Sequence, residues 1–113
     1  MTPLIRSALP MTTTDVLPGQ SIVEHLSVVS GSTVRSKNAL RDVFAGIKNI
    51  FGGELIAYTE LMEEARSEAT QRMLEQAQSL GANAIVGVRF ATSSIAQGAA
   101  EIYVYGTAVR VGR

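Results

Sequence analysis

The chemistry open to this chain depends first on its single histidine, His25, which follows Glu24 in a run of alternating residues, Ser21–Ser30. Imidazole and carboxylate groups both bind metal ions. The alternation predicts a strand, and neighbouring side chains on a strand point to opposite faces. Glu24 and His25 of one chain therefore cannot hold the same ion. A metal site at His25 requires copies of this residue from several chains, and the alternative is a partly buried or interface histidine.

The rest of the donor inventory is small, because the chain contains no cysteine and four methionines. Met62 and Met73 fall on the apolar stripe of a predicted helix, which favours core packing over copper binding. Glu60, Glu64 and Glu68 follow one another at i,i+4 spacing and lack the further oxygen ligands that calcium needs. This spacing is typical of a solvated helix face. No cofactor is evident from the sequence. The sequence leaves open only a metal ion that several chains bind together.

Catalytic groups are equally scarce. A serine or threonine nucleophile needs an adjacent base, and His25 is the only imidazole in the chain. The sequence also lacks the Gly-x-Ser-x-Gly turn that presents a nucleophilic serine in many hydrolases. We therefore expect a protein that is not an enzyme.

The charge pattern argues against a nucleic-acid or membrane protein. Ten basic and ten acidic residues give a net charge of zero, whereas a nucleic-acid surface usually shows a basic patch or stripe. Four basic residues do cluster around one predicted helix, and a solvated basic face accounts for them: Arg35, Lys37, Arg41 and Lys48. No apolar run reaches the roughly 18 residues of a membrane span. Residues 1–10 have no long apolar core of a secretory signal, so we expect a cytoplasmic protein.

The hydrophobic pattern predicts an α+β domain. Residues 1–16 form an N-terminal arm, whose β-branched run Thr12–Val16 predicts an edge strand, and residues 17–113 form a single domain. Apolar residues recur at three- and four-residue steps in Asn38–Phe51 and again in Glu54–Leu80, which predicts a short helix and a long one. The elements follow in the order β-β-α-α-β-β. This order predicts a small antiparallel sheet of about three to four strands packed with both helices.

Strand patterns lie on both sides of the helices. Alternation in the first long strand puts Ile22, Glu24, Leu26 and Val28 on one face and Val23, His25, Ser27 and Val29 on the other. After the long helix, Gly81 has the position of a left-handed C-terminal cap. Two further strands follow, Ala84–Thr92 and Glu101–Val111, with Ser93–Ala100 as the hairpin loop between them.

The long helix and the last strand predict self-association. A helix of this length spans about 40 Å, whereas a compact domain of this size is only about 34 Å across. The last strand is apolar on both faces and has no lysine, so as an exposed edge it would attract a second chain. We expect a homo-oligomer, and the alternative is a monomer with a frayed or kinked helix and a protected edge.

Four segments resemble the YbjQ-like family of small bacterial proteins, described as "putative heavy-metal-binding" proteins of unknown function. They are Gly19–Gly31 (GQSIVEHLSVVSG), Arg41–Tyr58 (RDVFAGIKNIFGGELIAY), Gly81–Phe90 (GANAIVGVRF) and Tyr105–Val111 (YGTAVRV). The resemblance implies an α+β subunit that forms a pentameric ring. It implies no established activity and supplies no catalytic residues. A ring of this kind could bring five copies of His25 together around its axis.

These observations lead to two functional hypotheses. The first is a non-enzymatic homopentamer that binds a small ligand or a metal ion at its subunit interfaces, with His25 and then Glu24 as the candidate metal ligands. The alternative is a structural or protein-interaction module with no ligand, which docks a partner through the basic first helix or the arm 1–16.

Overall fold

The computed structural model describes residues 9–36, 53–96 and 99–112. These form one long helix and three strands in the chain order β1 (Ser21–Ser36), α1 (Gly53–Ser79), β2 (Ala84–Ala96) and β3 (Ala99–Gly112). The predicted α+β class is confirmed, and the long helix begins and ends one residue before its predicted limits. The predicted short helix Asn38–Phe51 lies outside the described residues. Among the residues described, no helix is both long and apolar enough to cross a membrane.

The three strands form an antiparallel sheet in the spatial order β1-β3-β2. β3 is therefore the central strand, and it pairs with β1 over its full length on one side and with β2 on the other. The prediction of an exposed terminal strand is wrong, because strands from the same chain cover both edges of β3. β3 therefore gives no support to the prediction of self-association.

The β2–β3 hairpin is longer than predicted. Ser93 pairs with Glu101, Ser94 with Ala100, and Ala96 with Ala99. The predicted loop Ser93–Ala100 is therefore mostly strand. The prediction failed because strands are held by backbone hydrogen bonds, which small polar residues such as serine form as well as apolar ones.

The segment before β1 lies along the outer edge of β2. Pro10, Thr12 and Thr14 form four backbone hydrogen bonds of 2.9–3.0 Å with β2, and Met11 forms an isolated parallel bridge with Ile85. The predicted edge strand Thr12–Val16 overlaps this short stretch, which pairs with the edge of β2. The division of the chain after residue 16 stays a prediction.

Two β-bulges in β1 change which side chains share a face. The register pairs Ile22 with Val111, Glu24 with Arg110, His25 with Val109 and Ser27 with Ala108, so Val23 and Leu26 are extra residues on the β1 side. Each extra residue shifts the alternation by one. The predicted faces are therefore wrong: Ile22, His25 and Val28 share one face, and Glu24, Ser27 and Val29 share the other.

The core lies between α1 and one face of the sheet. Ala65, Ala69, Met73 and Ala77 of α1 are fully buried over β1 and β3. The helix comes so close to β1 that a Cβ atom at Gly31 would overlap the carbonyl of Ala69 and lie 2.8 Å from the nitrogen of Met73. The small alanine side chains of α1 and the missing side chain of Gly31 permit this close approach. At the helix C-terminus, Gly81 has a φ of 83°, as predicted for a left-handed cap.

A second, smaller cluster lies on the opposite face of the sheet. Ala84, Val86 and Val109 are buried there beneath Leu17 and Ile22. The cluster covers only the end of the sheet where β1 begins, and the rest of that face is the candidate site described next.

Candidate functional site

The structure places His25 and Glu24 on opposite faces of the sheet, as the sequence predicted. His25 is exposed and pairs across the sheet with Val109, on the face away from α1. Glu24 lies on the α1 face, where its Oε1 is 3.9 Å from Nε of Arg110. The two residues of one subunit therefore do not converge on a common ion.

The described side chains of a single chain do not form a metal site. Among them, no three His, Cys, Asp or Glu side chains lie close enough to share an ion. The chain also lacks cysteine and has only one imidazole, whereas heavy metals prefer thiolate and imidazole donors. The donors of a single chain do not fit a heavy-metal site, and only copies of His25 from several subunits could supply a set of imidazoles.

The other potential donors, which the sequence assigns to the core or to a solvated helix face, have structural roles or face solvent. Met73 is fully buried in the core, as predicted, and Met62 is half-buried. Glu60 and Glu64 are exposed. Glu68 accepts hydrogen bonds from Arg35 at 3.1 Å and from Arg72 at 3.5 Å, so it links β1 to α1.

On the face of the sheet away from α1, four apolar or aromatic residues are wholly or partly exposed in the described part of the chain, and we call this surface the outer face: Val28, Val34, Tyr103 and Tyr105. Val28 and Val34 are 68% and 52% exposed, and Tyr105 is 38% exposed. The two tyrosine rings lie 5.6 Å apart between centroids. His25 lies on this same face, toward the end where β1 begins. The bulges at Val23 and Leu26 bring His25 and Val28 to one face, and a strict alternation could not reveal this.

A second surface, which sequence reasoning missed, is an open groove between α1 and β2. It has a volume of about 920 Å³, and the structure lines it with nine residues: Leu9, Met11, Glu63, Arg66, Ser67, Thr70, Gln71, Leu74 and Phe90. The six helix residues recur at three- and four-residue steps, which is the signal that could have found this face. The signal was weak because most of the six are polar.

Comparison with known proteins gives a consistent family. A sequence model of the YbjQ family, described as "putative heavy-metal-binding", matches residues 9–112. A UPF0145 protein of Hahella chejuensis is 64% identical over 99 residues, which are 88% of this chain and 95% of the relative. A UPF0145 protein of Acinetobacter baylyi is 67% identical over 95 residues, 84% of this chain and 88% of the relative.

Solved structures agree on the fold. A crystal structure from Pediococcus pentosaceus, titled as a protein of unknown function in the DUF74 family, superimposes with a TM-score of 0.62. The match covers 92% of this chain and 98% of that one at 15% sequence identity, so it supports the fold alone. The family model and the two close relatives carry the assignment, and this chain belongs to the YbjQ family.

Proposed function

We propose that the protein is a non-enzymatic homo-oligomer, a pentameric ring in the cytoplasm, which binds a small ligand or a metal ion where its subunits meet. The observation that carries the proposal is the outer face, where apolar side chains of the described strands are exposed together with His25, the only histidine of the chain. Surfaces of this kind often mark sites of association or ligand binding.

The shape of the subunit supports association. Its radius of gyration is 16.8 Å and its extents are 55 × 29 × 22 Å, whereas a compact chain of this length has a radius of gyration of about 13 Å. Within residues 9–36, 53–96 and 99–112, one long helix packs on one face of the three-stranded sheet. A second copy against the outer face would remove Val28 and Val34 from water, and burial of apolar area contributes about 25 cal/mol per Å².

The candidate ligands follow from the ring. One subunit offers one imidazole, so a metal ion needs His25 from neighbouring subunits at a common axis. The family description concerns heavy metals, and this chain fits it only through such shared donors. A small organic ligand between outer faces is the other form of the same proposal, and the Tyr103–Tyr105 pair would contact it.

The experiment is native mass spectrometry of untagged protein together with elemental analysis, on the wild type and on His25→Gln. We expect the wild type to form a particle with five times the mass of one chain plus the mass of a bound small ligand or metal ion. Loss of a bound metal in His25→Gln, with the pentamer intact, supports the metal form. Retention of a bound organic mass in both proteins supports the small-ligand form, and a bare particle with the mass of one chain contradicts both.

The second candidate is a protein-interaction module with no ligand. One observation favours it: the outer edge of β2 beyond Arg89 has no strand partner among the described residues, and an exposed edge can accept a strand from another protein. Pull-down with the full chain and with a chain lacking residues 1–16 tests the role of the arm. An unchanged set of partners argues against docking through the arm.

A further inference from the structure

The α1–β2 groove exists because the helix does not cover the whole sheet. α1 lies over β1 and β3. Phe90 pairs with Val104, whose side chain is in the core beneath α1, so Phe90 also faces the helix side of the sheet. Its ring is nevertheless 51% exposed. The uncovered strip along β2 is the floor of the groove.

The two walls of the groove differ in chemistry. One side is apolar, with Phe90 and Met11 51% and 39% exposed and Leu9 half-buried beside them. The other side is the polar stripe of α1, which ends at the buried Leu74. Ligand pockets commonly combine a large apolar surface with a few polar groups that orient the ligand, and their usual volumes include this one.

Two hydrogen-bond donors of the polar wall are free within the described part of the chain. The Thr70 hydroxyl donates to the Arg66 carbonyl at 2.8 Å, and the Gln71 amide donates to Glu75 at 3.4 Å, so both are engaged. The guanidinium of Arg66 and the hydroxyl of Ser67 have no such partner among these residues. A guanidinium binds a carboxylate or sulfonate through two parallel hydrogen bonds.

We propose that this groove binds a small aromatic anion, whose ring packs on Phe90 and Met11 and whose acidic group is held by Arg66 and Ser67. Glu63 lies one helical turn before Arg66 and also lines the groove, so it opposes an anion. The site belongs to one subunit and depends neither on the ring nor on His25.

The test uses anilinonaphthalene sulfonate, an aromatic anion whose fluorescence rises in apolar sites, in titrations of the full chain. We expect Arg66→Gln to weaken its binding about tenfold or more, which is about 1.4 kcal/mol or more, since it removes the hydrogen bonds of the guanidinium to a charged group. Glu63→Gln should tighten binding about twofold, because it removes an opposing charge. Arg72→Gln and Glu64→Gln remove the same charges from α1 outside the groove and should leave binding unchanged.

A matched pair of variants tests the apolar wall. Phe90 and Ile95 lie on the same strand and are each 51% exposed, but only Phe90 lines the groove. Phe90→Ser should weaken binding at least about fivefold and Ile95→Ser should not, since only the first removes apolar contact with the probe. Circular dichroism checks that each variant is folded.

Three results overturn the proposal: no saturable binding to the wild type, equal effects of Arg66→Gln and Arg72→Gln, or tighter binding in Arg66→Gln. The neutral probe phenylnaphthylamine separates the two walls, because it should respond to Phe90→Ser and not to Arg66→Gln. A response of the neutral probe to both variants also overturns the role of Arg66. The mass of the oligomer is measured separately, so failure here leaves the ring proposal standing.

Discussion

At the scale of single residues, the described core buries one polar side chain, that of Thr33. Its hydroxyl donates to the carbonyl of Ala65 at 2.9 Å, and the residue is 2% exposed. The bond joins β1 to the middle of α1. A buried hydrogen bond of this kind contributes about 1 kcal/mol net.

We therefore expect Thr33→Val to lower the free energy of unfolding by about 1 kcal/mol, because it removes the hydrogen bond to the Ala65 carbonyl, which keeps only its helical donor. Urea unfolding at one fixed protein concentration measures the change. Thr33→Ser keeps the hydroxyl, and we expect it to retain the hydrogen bond. If the valine variant is as stable as the wild type, the bond does not help to join β1 to α1.

Single residues also limited what the sequence could predict. Gly81 correctly predicted the end of α1, because a glycine directly after an apolar helix stripe favours the left-handed conformation that ends a helix. The positions of Val23 and Leu26 as extra residues could not be read from the sequence, because both are ordinary strand formers. The bulges depend on the register with β3, which tertiary packing sets.

At the scale of elements, the contact of α1 with β1 depends on small residues on both sides. Gly31 lies against the backbone of α1 at Ala69 and Met73. Since the neighbouring atoms are backbone, they can yield to a new side chain only if the whole helix moves.

Gly31→Ala should therefore lower the free energy of unfolding by about 2–3 kcal/mol through overpacking. Gly112→Ala is the matched control, because a Cβ there would meet only a Val23 methyl at an ordinary 3.9 Å. Chemical unfolding of both variants at one protein concentration checks this. Equal stability of the two variants would mean that α1 is not closely seated on β1.

The helix and strands themselves were largely predictable from the sequence, whereas the order in which the strands pair was not. The limits of α1 and the existence of β2 and β3 follow from periodicity. The central place of β3 does not, because an apolar strand without lysine suits either a covered centre or an edge that another chain covers. The groove was missed for a related reason: a polar helix stripe looks the same whether it faces solvent or lines a cleft.

At the scale of the whole molecule, the proposed association of subunits depends on what covers the outer face. Val28 and Val23 are nearly equally exposed, at 68% and 66%. Only Val28 pairs across from a β3 residue on the outer face, whereas Val23 is an extra residue of a bulge.

We expect Val28→Lys to dissociate the proposed oligomer at micromolar concentration, because it would place a charge in the proposed apolar contact between subunits. Val23→Lys should leave the oligomer intact. Size-exclusion chromatography with light scattering measures both, and circular dichroism confirms that the subunits stay folded. Dissociation of both variants, or of neither, would show that the outer face is not the specific contact.

Sedimentation velocity of the untagged wild type at micromolar concentration decides whether copies of the same chain assemble. One chain has a mass of 12.0 kDa, and we expect one species with five times that mass. A single species with the mass of one chain, unchanged as the protein concentration rises, would contradict this expectation.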